Sequence, residues 1–491
     1  MKKQLFCITT FLLLWSLTTV SQDGTLDPSF GGGDGFVLTD FSSGLDESYA
    51  IIQQSDGKIV ASGFSDYGGM QALSRYLPDG TIDTSFGTDG KVTNDFNNEP
   101  NFIFYSSILQ QTDQKLITAT THSLLGGDQD FFLARYLENG DLDPSFGNNG
   151  TVLTDYGADI LSATSLLPDG KILAVGWSQI GISRYLLLTK YLPNGDLDTA
   201  FGVDGIVATY LHDSPTIVFP FVVQNDGKIL VAFRGTAGLL TFHRYMANGM
   251  LDPTFGTNGV VEANIASSVL YGSIAMKENG TIVAFMGLGG SNVILAQFLS
   301  DGSLDTSFGT NGITNVDIPI VIPINVLLDQ DENILISGND FGFEIGAYFL
   351  ARYDSNGILD TTFGANGITT LSFESHAMTL QSDGKILVTG DTYWYSGPVD
   401  FVVVRFRNGN LGTSDSEQLK FTVYPNPSQD VFTVKNNVFI DPAPYQITDI
   451  TGKIIQTGIL TAVETTVDLS PFQAGLYFLN AANTTIRLLK E

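Results

Sequence analysis

The side chains that could do chemistry in this chain are few and scattered. Asp46, Glu47, Glu99, Asp213 and Glu374 fall in connectors between apolar runs, where paired carboxylates could serve the acid–base hydrolysis of a glycosidic bond. With 52 acidic residues in the chain, proximity by chance is easy. The four histidines, His122, His212, His243 and His376, show no paired ligand spacing; His212-Asp213, in a strand connector, is the one suggestive neighbour pair, and a surface loop is its simpler reading. No Gly-x-Ser-x-Gly elbow, His-Glu-x-x-His pair, Walker loop or Gly-x-Gly-x-x-Gly turn is present. The expectation is therefore no catalytic residues and no metal site. One alternative is kept: Asn139-Gly140-Asp141-Leu142-Asp143 and Asn194-Gly195-Asp196-Leu197-Asp198 bunch oxygen donors suited to calcium, without the spacing of an EF-hand loop. Aromatics offer a different chemistry. Trp177 and the run Tyr393-Trp394-Tyr395 lie where connectors are expected, as candidate platforms for sugar rings or a protein partner.

What must position these residues is a repeat. A Leu/Ile-Asp-x-x-Phe-Gly phrase opens with Asp27, Asp83, Asp143, Asp198, Asp252, Asp305 and Asp360, and a fixed period of this length marks one supersecondary unit copied several times. Each phrase is followed by a hairpin signal, clearest at Asp56-Gly57-Lys58, Asp169-Gly170-Lys171, Asp226-Gly227-Lys228 and Asp383-Gly384-Lys385. The strands after these turns, such as Ile172-Leu173-Ala174-Val175, are apolar on both sides and need cover on both faces. The pattern predicts an all-β fold: a seven-bladed β-propeller of four-stranded antiparallel blades, plus a small C-terminal β-sandwich. After Arg405-Phe406 the Asp and Phe-Gly of an eighth phrase are missing, while an orphan copy stands at Leu26 to Gly31. The N-terminal segment is expected to complete the last blade. Arg75, Arg135, Arg244, Arg352 and Arg405 recur before the phrases, with the phrase aspartates as expected partners, and the glycines are read as turn residues.

The start of the chain reads as a signal peptide over 1–21, with Lys2 and Lys3 ahead of an apolar stretch too short to span a membrane. Its removal would take the only cysteine, Cys7, and leave 21 basic against 52 acidic residues, a balance of −31. A surface of that sign repels phosphate backbones, so nucleic acid is excluded as a partner.

Phrases of the type LDPSFG, SDGKIVASG and LSRYLPDG resemble the delta-60 repeat of exported bacterial proteins, here over residues 22–407. After a polar linker at 408–418, residues 419–491 resemble the C-terminal sorting domain of type IX secretion cargo. The resemblance rests on Tyr424, Pro425, Asn426 and Pro427 at its opening, Gly452 mid-way, and Gly475 and Tyr477 near its end. It implies recognition by the type IX machinery, a secreted or outer-membrane surface location, and removal of the tail in the linker. No transmembrane segment and no cofactor are expected in the mature protein. The leading functional expectation is a non-catalytic binding or scaffold module for a polysaccharide or surface protein; the alternative is a secreted glycosidase or lyase on the same scaffold.

Overall fold

The computed structural model describes the chain outside residues 1–21, 410–420 and 491 and short segments at 42–43, 67–68, 97–105, 124–128, 212–219, 236–237, 266–268, 289–291, 319–321, 341–346, 393–398, 425–427, 437–442, 450–452, 461–463, 474 and 482–483. The signal peptide and most of the linker fall outside the described residues, as do Tyr393, Trp394, Tyr395, Pro425, Asn426, Pro427 and Gly452. Two compact units result, Met1–Asn410 and Leu411–Glu491.

Among the described residues the first unit holds seven four-stranded antiparallel sheets. In the first sheet Glu47–Gln53, Ile59–Ser65, Met70–Tyr76 and Lys91–Asn94 pair in that order. The phrase lies inside this sheet, between the third and fourth strands, so each sheet ends one strand into the next sequence repeat. The seventh sheet shows the consequence. Glu374–Leu380, Ile386–Asp391 and Phe401–Phe406 take their fourth strand from the other end of the unit, Phe36–Thr39, in the register Phe36↔Val404 to Thr39↔Phe401. Asp27 N–H donates to the Arg405 carbonyl, and the Arg405 guanidinium lies 4.6 Å from the Phe30 ring centre. The N-terminal segment thus completes the last sheet. The extra residue of its phrase is absorbed in a single 3-10 turn at Gly31–Gly33.

The ring is legible in the packing. Side chains alternate across a strand, so consecutive apolar residues serve opposite faces. Val60 joins Leu116 and Ala134 of the second sheet, whereas Ile59 and Ala61 join Leu387 and Val403 of the seventh. Five more clusters link second to third, third to fourth, and so on to sixth with seventh. Every sheet shares one apolar core with each of two neighbours, which is the closed β-propeller arrangement and leaves no bare sheet face. First strands of neighbouring sheets meet at the centre: Glu47–Gln53 touches both Glu374–Leu380 and Ser106–Gln110, and Val269–Met276 touches Ile322–Leu328.

Each phrase works as a joint. Arg75 Nε donates to Asp83 Oδ2 at 2.8 Å, its guanidinium lies 4.4 Å from the Phe86 ring centre, and Nη1 donates to the Glu138 carbonyl of the next repeat. Arg135, Arg244, Arg352 and Arg405 repeat the ion pair with Asp143, Asp252, Asp360 and Asp27. In the Phe-Gly-x-x-Gly turn the fourth position is Asp89, Asn149, Asp204, Asn258, Asn311 or Asn366, all at φ between 51° and 56°. Asn and Asp tolerate that left-handed backbone better than other side chains.

The second unit is a sandwich. A three-stranded sheet of Phe421–Tyr424, Val431–Asn436 and Glu464–Asp468 shares one core with a four-stranded sheet, Phe432, Val467, Ile447 and Leu479 among its buried members.

Candidate functional site

Five of the inner strands skip one residue in their pairing with the second strand of their sheet, between Ser48 and Ala50, Leu161 and Ala163, Val269 and Tyr271, Pro323 and Asn325, and Ser375 and Ala377. Such bulges re-aim one side chain. In four of the five a glycine opposes the bulge from mid-strand: Gly63, Gly176, Gly338 and Gly390. These glycines are not turn residues, contrary to expectation. A Cβ on Gly390 would sit 1.8 Å from the Glu374 carbonyl oxygen, and one on Gly63 1.9 Å from that of Glu47.

Where the first and seventh sheets meet, the two bulges present Tyr49 and His376 to each other with ring centres 4.4 Å apart. Around them stand three carboxylates. His376 Nε2 lies 2.6 Å from Asp391 Oδ1, the Tyr49 hydroxyl donates to Glu47 Oε2 at 2.9 Å, and Glu374 pairs in register with Asp391. Like charges directly opposite on a sheet repel, so an imidazolium between them is favoured. Burial opposes that imidazolium, but the hydrogen bond and charge of Asp391 outweigh it and raise the His376 pKa. Burial, reinforced by the Asp391 charge, raises Glu47. Burial raises Glu374 as well; the His376 charge opposes that, and Asp391 and Glu47 add to it. Burial and the Glu47 charge likewise push the Tyr49 phenol up. The group gathers three carboxylates, an imidazole and a phenol, and it can accept hydrogen bonds from hydroxyl groups.

Of the acidic residues picked from sequence, Glu47 and Glu374 come together here, with Asp46 adjacent in the chain; Glu99 and Asp213 lie outside the described residues. His376, His122 and His243 are strand residues, and His212 lies outside the described residues. Asp391 and Tyr49 were missed. Their signal was available: Glu47-Ser48-Tyr49-Ala50 and Glu374-Ser375-His376-Ala377 are one motif at one position of two repeats.

Trp177 is not on a connector. Strands Ile172–Ile180 and Ser183–Tyr191 are nine residues each and carry it within their pairing, opposite Leu186. It is half-buried, with the Arg184 guanidinium 5.3 Å from its ring centre. The oxygen-rich turns considered for calcium spend their donors locally: Asn139 bonds Asp141, Asn194 bonds Asp196, Asp143 is held by Arg135, and Asp198 by Lys171. Carboxylate groups close enough to share a cation do occur elsewhere, at Asp40, Asp46 and Asp400 and at Asp130, Asp155 and Asp159. In the second unit Tyr424 is exposed and donates to Glu464, Gly475 opens a strand, and Tyr477 is buried with its hydroxyl on the Gln473 carbonyl.

Residues 54–86, 111–146, 167–201, 280–308 and 381–410 match the family model described as domain of unknown function (DUF5122) beta-propeller. Residues 422–491 match the secretion system C-terminal sorting domain. The chain is therefore an all-β propeller protein with a type IX secretion sorting domain at its C-terminus, secreted or displayed at the cell surface. Among the described residues no helix is long and apolar enough to cross a membrane. No curated protein matches the chain. Similar solved structures include a protein of unknown function from Dyadobacter fermentans (12% identity, 77% of this chain and 98% of that one, TM-score 0.41). They also include the polysaccharide lyase Uly1 (12%, 75% and 91%, 0.42) and the lectin BP39L from Burkholderia pseudomallei (12%, 74% and 96%, 0.43).

Proposed function

We propose that the protein is an exported binding module that holds a polysaccharide, without turning it over, at the central mouth where the first and seventh sheets meet. The observation that carries this reading is the Glu47–Tyr49–Glu374–His376–Asp391 group, a set of hydroxyl acceptors and donors built by two matched bulges. Connector 392–400 leaves the strand directly after Asp391, so Tyr393, Trp394 and Tyr395 follow the polar group within four residues of chain. Carboxylates to grip sugar hydroxyls and aromatic faces to stack on sugar rings are the complementary halves of a glycan site. Trp177, on the third sheet, is a secondary contact in this reading. Export is followed by tail removal in the 408–418 linker.

The meeting of Glu47, Glu374 and Asp391, with burial raising the first two, supports a second reading, a glycosidase or lyase at the same place, because a carboxyl raised beside another carboxylate is the pairing that acid–base hydrolysis uses. Both readings are tested by glycan-array and pull-down screens on the purified protein, followed by product analysis on every hit. Binding is expected to fall at least tenfold in Glu374→Gln and Trp394→Ala, with no product released. Binding unchanged in both variants removes the site; product formation that Glu47→Gln or Glu374→Gln abolishes replaces the binder with the enzyme.

A further inference from the structure

The two aspartate groups set apart above are the same construction at two places in the ring. Asp155 follows the fourth strand of the second sheet, Thr151–Thr154; Asp130 stands in the third strand of that sheet, Gln129–Tyr136; Asp159 stands in the first strand of the third sheet, Ala158–Leu166. At the ring closure, Asp40 follows the fourth strand of the seventh sheet, Asp400 precedes its third strand, and Asp46 precedes the first strand of the first sheet. In both, the third aspartate receives a main-chain N–H at 2.7 Å on Oδ2, from Tyr156 to Asp159 and from Phe41 to Asp46. Each group offers three carboxylate oxygens mutually within 4.8 Å. That is the span across a calcium ion bonded to opposite oxygens at about 2.4 Å.

One atom shows that the first group is incomplete. Asp159 is fully buried, and its Oδ1 receives no hydrogen bond; the Ser178 hydroxyl beside it falls outside hydrogen-bond geometry. A buried carboxylate oxygen without a donor, beside two more carboxylates, is costly unless a cation meets it. Lys91, the cation next to the second group, donates to the main-chain oxygen of Asp40.

We propose that Asp130, Asp155 and Asp159 bind a calcium ion that clamps the second sheet to the third. All three ligands are hard oxygens, and Asp155 is exposed to solvent as a route of entry. Exported proteins meet calcium at concentrations that suit sites of modest affinity.

The test is calcium chloride added to the EDTA-stripped full chain, read by calorimetry for stoichiometry and by thermal unfolding. One ion is expected, with a midpoint rise of about 2 °C at tenfold excess over Kd. Asp155→Asn should lose the ion; its side chain is exposed, so folding should persist. Asp159→Asn should raise the calcium-free midpoint while abolishing the response to calcium, a sign that simple misfolding would not give. No binding at 10 mM calcium, an ion retained in Asp155→Asn, or an equal response to magnesium overturns the proposal.

Discussion

Arg75 makes four contacts at once: the Asp83 carboxylate, the Ser85 hydroxyl, the Phe86 ring and a carbonyl of the next repeat. Burial alone would raise Asp83, but the Ser85 hydroxyl and N–H and the Arg75 charge bring it down to about 2, and Asp143 and Asp252 are brought down to about 2 in the same way. A carboxyl depressed in the folded state releases more protons than its unfolded counterpart, so its stabilisation is complete above the ordinary carboxylate pKa of about 3.9 and is lost as pH falls from there to 2. Arg75→Ala leaves Asp83 ionised and nearly buried, at a cost on the order of 3 kcal/mol near pH 7, the low end for a broken buried pair because Lys58 stands 3.4 Å away. Protonation of Asp83 removes the stranded charge. The difference between wild type and Arg75→Ala, measured by urea unfolding, should therefore shrink from pH 7 to pH 3. A gap that stays constant over that range would mean that the arginine acts by packing alone.

The hairpins, the phrases and the missing eighth copy were legible in the sequence because each rests on local chemistry: Asp-Gly at a tight turn whose glycine alone takes positive φ, Asn or Asp at positive φ after the phrase, one apolar pattern repeated. The sheet boundaries were less so, since nothing local says that Lys91–Asn94 pairs backward with Met70–Tyr76 across its own phrase. Bulges were not legible, because Gly63 and Gly390 carry the same letter as turn glycines while having neither positive φ nor a turn. His376 escaped for a related reason. Its significance comes from Tyr49, and those residues are neighbours only after closure. The bulge itself can be tested by adding one methyl group. Gly390→Ala puts a Cβ 1.8 Å from backbone that cannot retreat, and should cost about 3 kcal/mol and change the His376 imidazole NMR titration. Gly181→Ala, at φ 63° in open space, should cost about 1 kcal/mol and leave that titration alone. Equal costs would show that the close approach at the bulge has no energetic weight.

At the scale of the whole ring, everything depends on one non-covalent seam. Five of the joints connect segments adjacent in sequence; the other two rely on the N-terminal segment, at Asp23, which pairs with Arg352 and accepts from Gly364 N–H, and at residues 24–41, which return to a strand more than 360 residues away. Without that segment the strand Phe401–Phe406 becomes an open edge, Arg405 loses both Asp27 and Phe30, and the apolar face of Leu387, Phe401 and Val403 loses Phe30. An exposed, apolar and unpaired edge recruits other strands. Deleting residues 22–41 should therefore convert a monodisperse protein into self-associating species on size exclusion with light scattering, and lower the unfolding midpoint. A synthetic peptide spanning 22–41, added in excess, should restore both, because the segment contributes pairing that needs no covalent link. Asp27→Asn within the peptide should weaken that rescue at least tenfold, since Arg405 would then face a neutral amide. A truncated protein that stays monomeric with an unchanged midpoint would show that the ring is held by its five sequential joints alone, and that the seam is incidental to its closure.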